Sequence, residues 1–513
     1  MNRPIRLLRG FATVGIWTLA SRMLGLIRDI LIATFLGSTA AAEAFLIAFA
    51  LPNMFRRFFA EGAFNMAFVP MFSKKLAAGD RPAEFASDAF SGLATILIVF
   101  TVLAQLAMPA LVYAMASGFW GDARFDLAVF FGRIAFPYIL FISLAALLSG
   151  VLNAHGRFAA AAAAPVLLNI ALIGAIWLAW ALGADVATAL SWAVPVAGIA
   201  QLALLWIAVR RSGFRLRISR PRLSPDLKRL AIIAAPAALA GGVVQVNLLV
   251  GRQVASAFEG AIAWLSFADR LYQLPLGLVG VAIGVVLLPD LSRRLQDSDE
   301  TGAQAAFNRA TEYALALTVP AAVALIVIPG PLVSVLFEHG AFDATDTNAT
   351  ALAVAIYGLG LPAFVLQKTL MPLYFAREDT KTPFRFAVVA MVVNAVIAVG
   401  LAFSIGYLAA ALATSLSSWV LLALLWRGSR GMGVAARLDA DFRRRVPRVL
   451  AAAVLMGGVI YGAALVLGPY LAAPVLRYPA LAVLVALGAV VYAAALIGSG
   501  AFRIADLRGA LRR

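Results

Sequence analysis

The sequence predicts an all-α polytopic membrane protein: fourteen transmembrane helices, arranged as two six-helix repeats plus two extra C-terminal helices. Three observations carry that prediction. Of the 513 residues, 63% are hydrophobic and 13% charged, against roughly 45–50% and about 25% in ordinary soluble domains. Apolar runs of about 20 residues, the length a helix needs to cross the hydrocarbon, recur along the whole chain. Landmarks of the first half also return in the second at nearly one offset.

The first run, 11–36, follows a basic tip and imitates a secretory signal, but hydrophobicity resumes past Arg22 and continues to Leu36, so cleavage is not expected. The second, 44–72, contains LPNMFRRFFAEGAF (51–64), with Arg56, Arg57 and Glu61 inside a membrane segment. Runs 88–116, 128–152, 163–183 and 186–209 complete a first set of six, closed by the basic stretch VRRSGFRLRISRPRLSPDLKR (209–229). Runs 230–257, 262–289, 312–336, 348–374, 385–403 and 406–426 form a second set, and after DFRRRVPR (441–448) come 449–468 and 478–499.

The repeat shows in VPMFSKKLAAGD (69–80) and LPDLSRRLQDSD (288–299), where Pro70 matches Pro289 and Ser73 matches Ser292 at a separation of 219. Pro137 matches Pro362 and Asn169 matches Asn394 at a separation of 225. Six is even, so both copies enter the membrane in the same direction, as parallel repeats that in transporters enclose a substrate site between them. The expected domains are 1–222 (helices 1–6), 223–440 (helices 7–12) and 441–513 (helices 13–14).

The net charge of +17 need not mean nucleic acid. With both termini cytoplasmic, the tails and even-numbered connections hold 32 of the 42 Lys and Arg, and the external connections hold Arg124 and Arg477. This is the positive-inside pattern, and it adds attraction to anionic lipid headgroups. Cysteine is absent, and His155 and His339 fall on opposite sides of the membrane, so neither a redox centre nor a histidine metal site is expected.

Eight basic residues remain within the runs: Arg22, Arg28, Arg56, Arg57, Arg133, Arg252, Arg270 and Lys368, against the acidic Asp29, Glu43, Glu61 and Asp269. Intramembrane charge is expensive and marks function, and a cationic surplus calls for an anionic guest. Arg57 and Glu61 share a helix face as an i,i+4 ion pair, while Arg56 points about 100° away, free for a cavity. Arg22 and Asp29 share a face, and a bend at Gly25 would bring Arg28 towards Arg22. Arg133 lies near a helix end and is expected to snorkel. Arginine suits phosphate, which its planar fork grips bidentately, and it cannot lose its proton on burial.

SRMLGLIRD (21–29), LPNMFRRFFAEGAFNMAFVP (51–70), FPYILFISLAALLSGVLNAHGRF (136–158), FADRLYQLPLGLVGVAIGVVLLP (267–289), LFEHGAFDATDT (336–347) and FAREDTKTP (375–383) together resemble the MurJ (MviN) family of bacterial lipid II flippases. That family belongs to the superfamily of MATE multidrug exporters and oligosaccharide-lipid flippases. The resemblance implies a MATE-like pair of six-helix lobes around a cationic cavity, with helices 13 and 14 flanking a groove for the polyprenyl tail. It implies movement of the undecaprenyl-diphosphate-linked peptidoglycan precursor to the outer leaflet of the inner membrane by alternating access. Arg22, Arg28, Arg56 and Arg270 match the diphosphate site, and Asp29, Glu43 and Glu61 match sensitive acidic positions. Glu43 replaces an expected aspartate, and Gln273 stands where some relatives carry a carboxylate. Some relatives bind sodium through carboxylates, but here the corresponding helices offer Gln245, Asn247, Asn394 and Thr414, so sodium coupling is not expected.

The resulting substrate set is Arg22, Arg28, Asp29, Arg56, Glu61, Arg252 and Arg270, with Glu43, Arg57, Asp269 and Lys368 secondary. No cofactor is expected beyond a dependence on membrane potential, and the expected partners are lipid II, membrane lipids and peptidoglycan synthases. The alternative is a related exporter of another polyprenyl-diphosphate oligosaccharide or of drugs, although drug exporters favour carboxylates in their cavity. A membrane enzyme acting on the same lipid would need a paired acid and base or a metal site, which the sequence does not offer. A scaffold for wall assembly leaves the intramembrane arginines unexplained.

Overall fold

The computed structural model describes residues 3–56, 63–217 and 224–501. Among them the ordered elements are all helical: α1 (Arg3–Leu36), α2 (Ala40–Arg56), α3 (Ala63–Ala78), α4 (Pro82–Leu106), α5 (Met108–Met115), α6 (Ala123–Ala135), α7 (Tyr138–Ala154), α8 (Ala159–Leu182), α9 (Val186–Arg211), α10 (Pro225–Ser256), α11 (Ala261–Gln296), α12 (Glu300–Val327), α13 (Pro329–Phe337), α14 (Ala344–Phe375), α15 (Lys381–Ile405), α16 (Leu408–Ser429), α17 (Ala440–Ala472) and α18 (Arg477–Gly498). Every backbone polar group in a bilayer must be satisfied within its own segment, which a helix achieves.

Among the described residues, ten helices or helix pairs are long and apolar enough to cross a membrane. The helices α1, α2, α3, α10 and α11 lie outside that set and carry most of the charges of the apolar runs, and the all-helical fold is roughly consistent with the expected fourteen crossings. The repeat is visible in helix architecture. The 25-residue α4 is followed by the 8-residue α5, as the 28-residue α12 is followed by the 9-residue α13.

Some boundaries differ from the apolar runs. The ninth run, expected over 312–336, begins at Glu300, where the Asp299 carboxylate accepts from the Gly302 N–H, and it breaks at Ile328 before Pro329. A side-chain cap starts a helix in polar sequence, and proline lacks the N–H needed to continue one. The fourth run, expected over 128–152, is likewise divided between α6 and α7 at Phe136 and Pro137.

The chain forms two compact units. The first is 1–263 with 339–342, and the second is 264–338 with 343–513. The repeat boundary expected near 222 does not coincide with the packing boundary at 263: α10, expected to open the second repeat, packs on α3 and α4, with Leu227 against Gly92. In the second unit, α17 and α18 pack on α12 through Val449, Ala453, Met456, Ile460 and Leu484, and the Tyr492 hydroxyl donates to the Ala316 carbonyl at 2.7 Å. Lipid tails are as apolar as leucine, so helices associate through close packing and polar ties rather than hydrophobicity. Gly457 illustrates the packing, for a methyl group there would meet Val323 at 2.7 Å.

Candidate functional site

Two polar centres stand out in the first unit. The first lies where α1 crosses α8. Arg28 is 6% exposed and Asp29 8%, and Arg28 grips the Asp29 carboxylate through Nε at 2.8 Å and Nη2 at 2.7 Å. Its Nη1 donates to Asn169 Oδ1 at 3.0 Å, and Asn169 Nδ2 donates to the Ser21 carbonyl at 2.9 Å. The guanidinium also lies 5.7 Å from the Phe49 ring centroid. Gly25 faces Asn169 at this crossing, where a Cβ would sit in ordinary van der Waals contact, 3.8 Å from the amide oxygen. Helical spacing gives Arg28 no carboxylate on its own face, but a neighbour in sequence and a residue 141 positions away supply partners. Where a bend is expected to turn Arg28 towards Arg22, its side chain instead engages Asp29 and Asn169, as fits a guanidinium in low dielectric, too costly to leave bare. Three of its N–H groups are engaged, and a guanidinium has more than three, so the pair still offers donors.

The remaining intramembrane charges are distributed over both units. Arg22 and Arg56 are partly buried on α1 and at the end of α2, and Arg252 is partly buried on α10. In the second unit, Asp269 and Arg270 are partly buried on α11, and Gln273 donates to Asp269. Lys368 is exposed, as is Arg133, where snorkelling is expected. Arg22, Arg56, Arg252, Arg270 and Lys368 each engage a neighbour, so these cations are not a bare cluster. Arg57 and Glu61, the expected i,i+4 pair, lie outside the described residues.

The second centre lies on the side of the membrane holding few basic residues. Glu43, in the first turn of α2, is completely buried. Its Oε2 accepts from Arg124 Nη1 at 3.1 Å and its Oε1 accepts from the Ile262 N–H at 3.0 Å. Arg124 is held by Asp122 at 2.7 Å and lies 4.5 Å over the Phe119 ring. The adjoining loop is fastened to the end of α10. Ser117 N and Oγ donate to Gln253 Oε1 at 3.0 and 2.5 Å, and the Gly118 N–H donates to Ser256 Oγ at 3.0 Å. Gly118 is required here, because a Cβ would collide with the Ser256 backbone. Nearby, the Ala341 N–H donates to the Thr34 carbonyl at 2.8 Å, seating the 339–342 turn on the end of α1. Sequence reasoning singled out Glu43 but not its partner. Arg124 is one of two basic residues on that side, and that rarity was the available signal.

Among the described residues no group of three or more His, Cys, Asp or Glu converges as a metal site. Of the positions weighed in the sequence for sodium, Gln245 and Asn394 are buried. Asn394 Nδ2 donates to Ser417 Oγ at 3.2 Å, and Thr414 Oγ1 donates to its own helix at the Ala410 carbonyl. The Asn247 side chain lies outside the described residues.

Comparison with known proteins decides the family. The family described as "Lipid II flippase MurJ" matches residues 32–476. The chain belongs to the MurJ family. It is 45% identical over 467 residues to the "Probable lipid II flippase MurJ" of Rhizobium meliloti (strain 1021), covering 89% of this chain and 86% of the relative. It is 37% identical over 462 residues to the "Lipid II flippase MurJ" of Burkholderia cenocepacia, covering 88% and 89%. A solved structure described as "Lipid II flippase MurJ, inward closed conformation" matches with a TM-score of 0.80 at 26% identity, covering 94% of this chain and 98% of that one. An inward-facing MATE transporter of the MOP superfamily matches with a TM-score of 0.65 at 16% identity, over 81% and 95%, and shows shared fold alone. The MurJ family is one of transporters rather than enzymes, and its members are multi-pass inner-membrane proteins.

Proposed function

We propose that this chain moves lipid II from the cytoplasmic to the outer leaflet by alternating access, with both termini cytoplasmic. The diphosphate is received by Arg22, Arg28, Arg56, Arg252 and Arg270, and the polyprenyl tail stays in the hydrocarbon beside helices 13 and 14. The observation that carries this reading is the α1–α8 centre: a buried arginine inside an apolar bundle, restrained by Asp29 and Asn169 yet with donors to spare. Restraint fixes the fork's orientation, so a phosphate meets donors already aimed, and little ordering cost remains.

The Glu43–Arg124 knot supplies the external closure in this scheme. It joins the first repeat to the opening of the second through Ile262, Gln253 and Ser256, and these bonds must break before the headgroup leaves outside. A membrane potential, inside negative, assists outward movement of each negative charge by about 2.3 kcal/mol per 100 mV, which makes electrical driving the favoured energy source.

The test is headgroup exposure in proteoliposomes loaded with labelled lipid II. Wild-type protein should translocate it, faster with an imposed inside-negative potential, and Arg28→Ala and Arg270→Ala should not. Translocation by both variants at the wild-type rate would refute the assignment of the site, and equal rates with and without potential would remove the driving force.

A further inference from the structure

A cavity of about 580 Å³ opens in the first unit where α1, the end of α7, the start of α8 and the end of α9 come together. This falls within the roughly 300–1,000 Å³ typical of small-molecule sites. Its walls are apolar, among them Leu152, Phe158, Leu204 and Ile207, and Ile207 is 48% exposed on the face that meets the membrane. Its rim is cationic, with Arg157 and Arg211 contributing, and Arg157 Nη1 donates to the Arg211 carbonyl at 3.4 Å, which ties the loop after α7 to the end of α9. The next residue, Arg210, lies 5.5 Å from the Trp206 ring centroid. Tryptophan beside arginine marks the polar boundary of a bilayer.

The charge at this rim is uncompensated by the chain. The cavity-lining segments come from three stretches, 1–28, 127–184 and 186–225, and none contains a single Asp or Glu. No described carboxylate pairs with Arg157 or Arg211. Neither residue belongs to the arginine set assigned above to the substrate. A cavity that is greasy towards the membrane and cationic towards the water has the amphipathic outline of one membrane component: a lipid whose headgroup carries phosphate. Guanidinium forks match phosphate oxygens bidentately, and the apolar wall matches an acyl chain.

We infer that this cavity is a binding site for an anionic glycerophospholipid of the leaflet on the basic side of the protein, with the phosphate held by Arg157 and Arg211 and one acyl chain lying along Leu204 and Ile207. The bound lipid joins α1 to the ends of α7, α8 and α9.

The experiment is native mass spectrometry of the purified full chain titrated with phosphatidylglycerol or phosphatidylcholine. Wild-type protein should retain phosphatidylglycerol preferentially. Arg157→Ala with Arg211→Ala should weaken that retention about 30-fold, from the usual contribution of a basic residue at an anionic membrane surface. Ile207→Trp, which fills the cavity and leaves both charges in place, should also weaken it. The matched control, Arg427→Ala with Arg430→Ala, removes two exposed arginines at another helix end and should change nothing. Equal retention of the two lipids overturns the inference, and so does equal loss in the control. A loss of lipid II binding in the Arg157/Arg211 variant also overturns it, because the cavity would then belong to the substrate path.

Discussion

Replacing Glu43 by alanine tests whether the external knot is a latch. The Glu43–Arg124 contact of 3.1 Å corresponds to roughly 5 kcal/mol of Coulomb attraction at an effective dielectric constant of about 20. Much of this offsets the desolvation of a carboxylate that is 0% exposed. Removing one member of a buried pair costs about 3–5 kcal/mol, because the other is left uncompensated. Arg124 keeps Asp122 at 2.7 Å, so the lower end applies, about 3 kcal/mol, and the Ile262 N–H loses its acceptor as well. Borne by the closed state alone, that loss raises the population of the externally open state about 100-fold. The chain has no cysteine, so Ala116→Cys, at a position 0% exposed beside the knot, gives a single reporter. Its reaction with a membrane-impermeant maleimide should quicken up to about 100-fold in the Glu43→Ala background. Glu43→Gln keeps the shape and an acceptor for Ile262 but drops the charge, so it should fall between. An unchanged labelling rate in folded Glu43→Ala protein would refute the latch.

Four further outcomes are expected. Arg56→Ala should abolish transport at normal membrane abundance, while Arg57→Ala should chiefly lower abundance if the i,i+4 pairing with Glu61 expected from the sequence holds; immunoblots beside the translocation assay distinguish the two, and the reverse pattern would show the neighbours misassigned. Asn169→Leu removes one of Arg28's partners and should destabilise the protein by about 1–3 kcal/mol, read as a lowered unfolding midpoint in detergent. Arg445→Ala leaves Glu312, 3% exposed and paired at 2.9 Å, without that partner, and should cost about 3 kcal/mol and expose the start of α17 to protease. Finally, the hydrogen bond and charge of Lys75 hold the Asp80 carboxyl below its usual range. A depressed carboxylate contributes stability that is present above its unfolded value, near 4, and is lost as pH falls through the folded value. Protease protection of the 79–81 turn should therefore weaken only below about pH 4, and Asp80→Asn should flatten that dependence.

The membrane class, the crossings and the repeat were legible because they are written in composition and in local landmarks. What was not legible depended on partners distant in sequence. Glu43 and Arg124 are 81 residues apart and Arg28 and Asn169 are 141 apart, and no helical spacing rule reaches that far. Asn169 was visible as a landmark of the repeat, but not as the residue that turns Arg28 towards α8. Helix ends were misjudged where polar chemistry rather than hydrophobicity sets them. The start of α12 at Glu300 rests on the Asp299 cap, twelve residues before the apolar run begins, and its end rests on Pro329. The separation between repeat and packing boundaries arises similarly. The segment α10 is tied to the first unit by Lys75 to Asp226 at 2.9 Å and by Gln253 and Ser256 at its other end, and apolar patterning carries no trace of those bonds.

The central claim is that guanidinium groups inside the bundle recognise a diphosphate. Equilibrium binding of the purified protein to lipid II and to the undecaprenyl monophosphate carrier measures it directly, with Arg28→Ala alongside. Lipid II should bind at least tenfold more tightly than the carrier, with the preference collapsing in the variant. Equal affinity for the two lipids, or a preference that survives Arg28→Ala unchanged, would contradict the account.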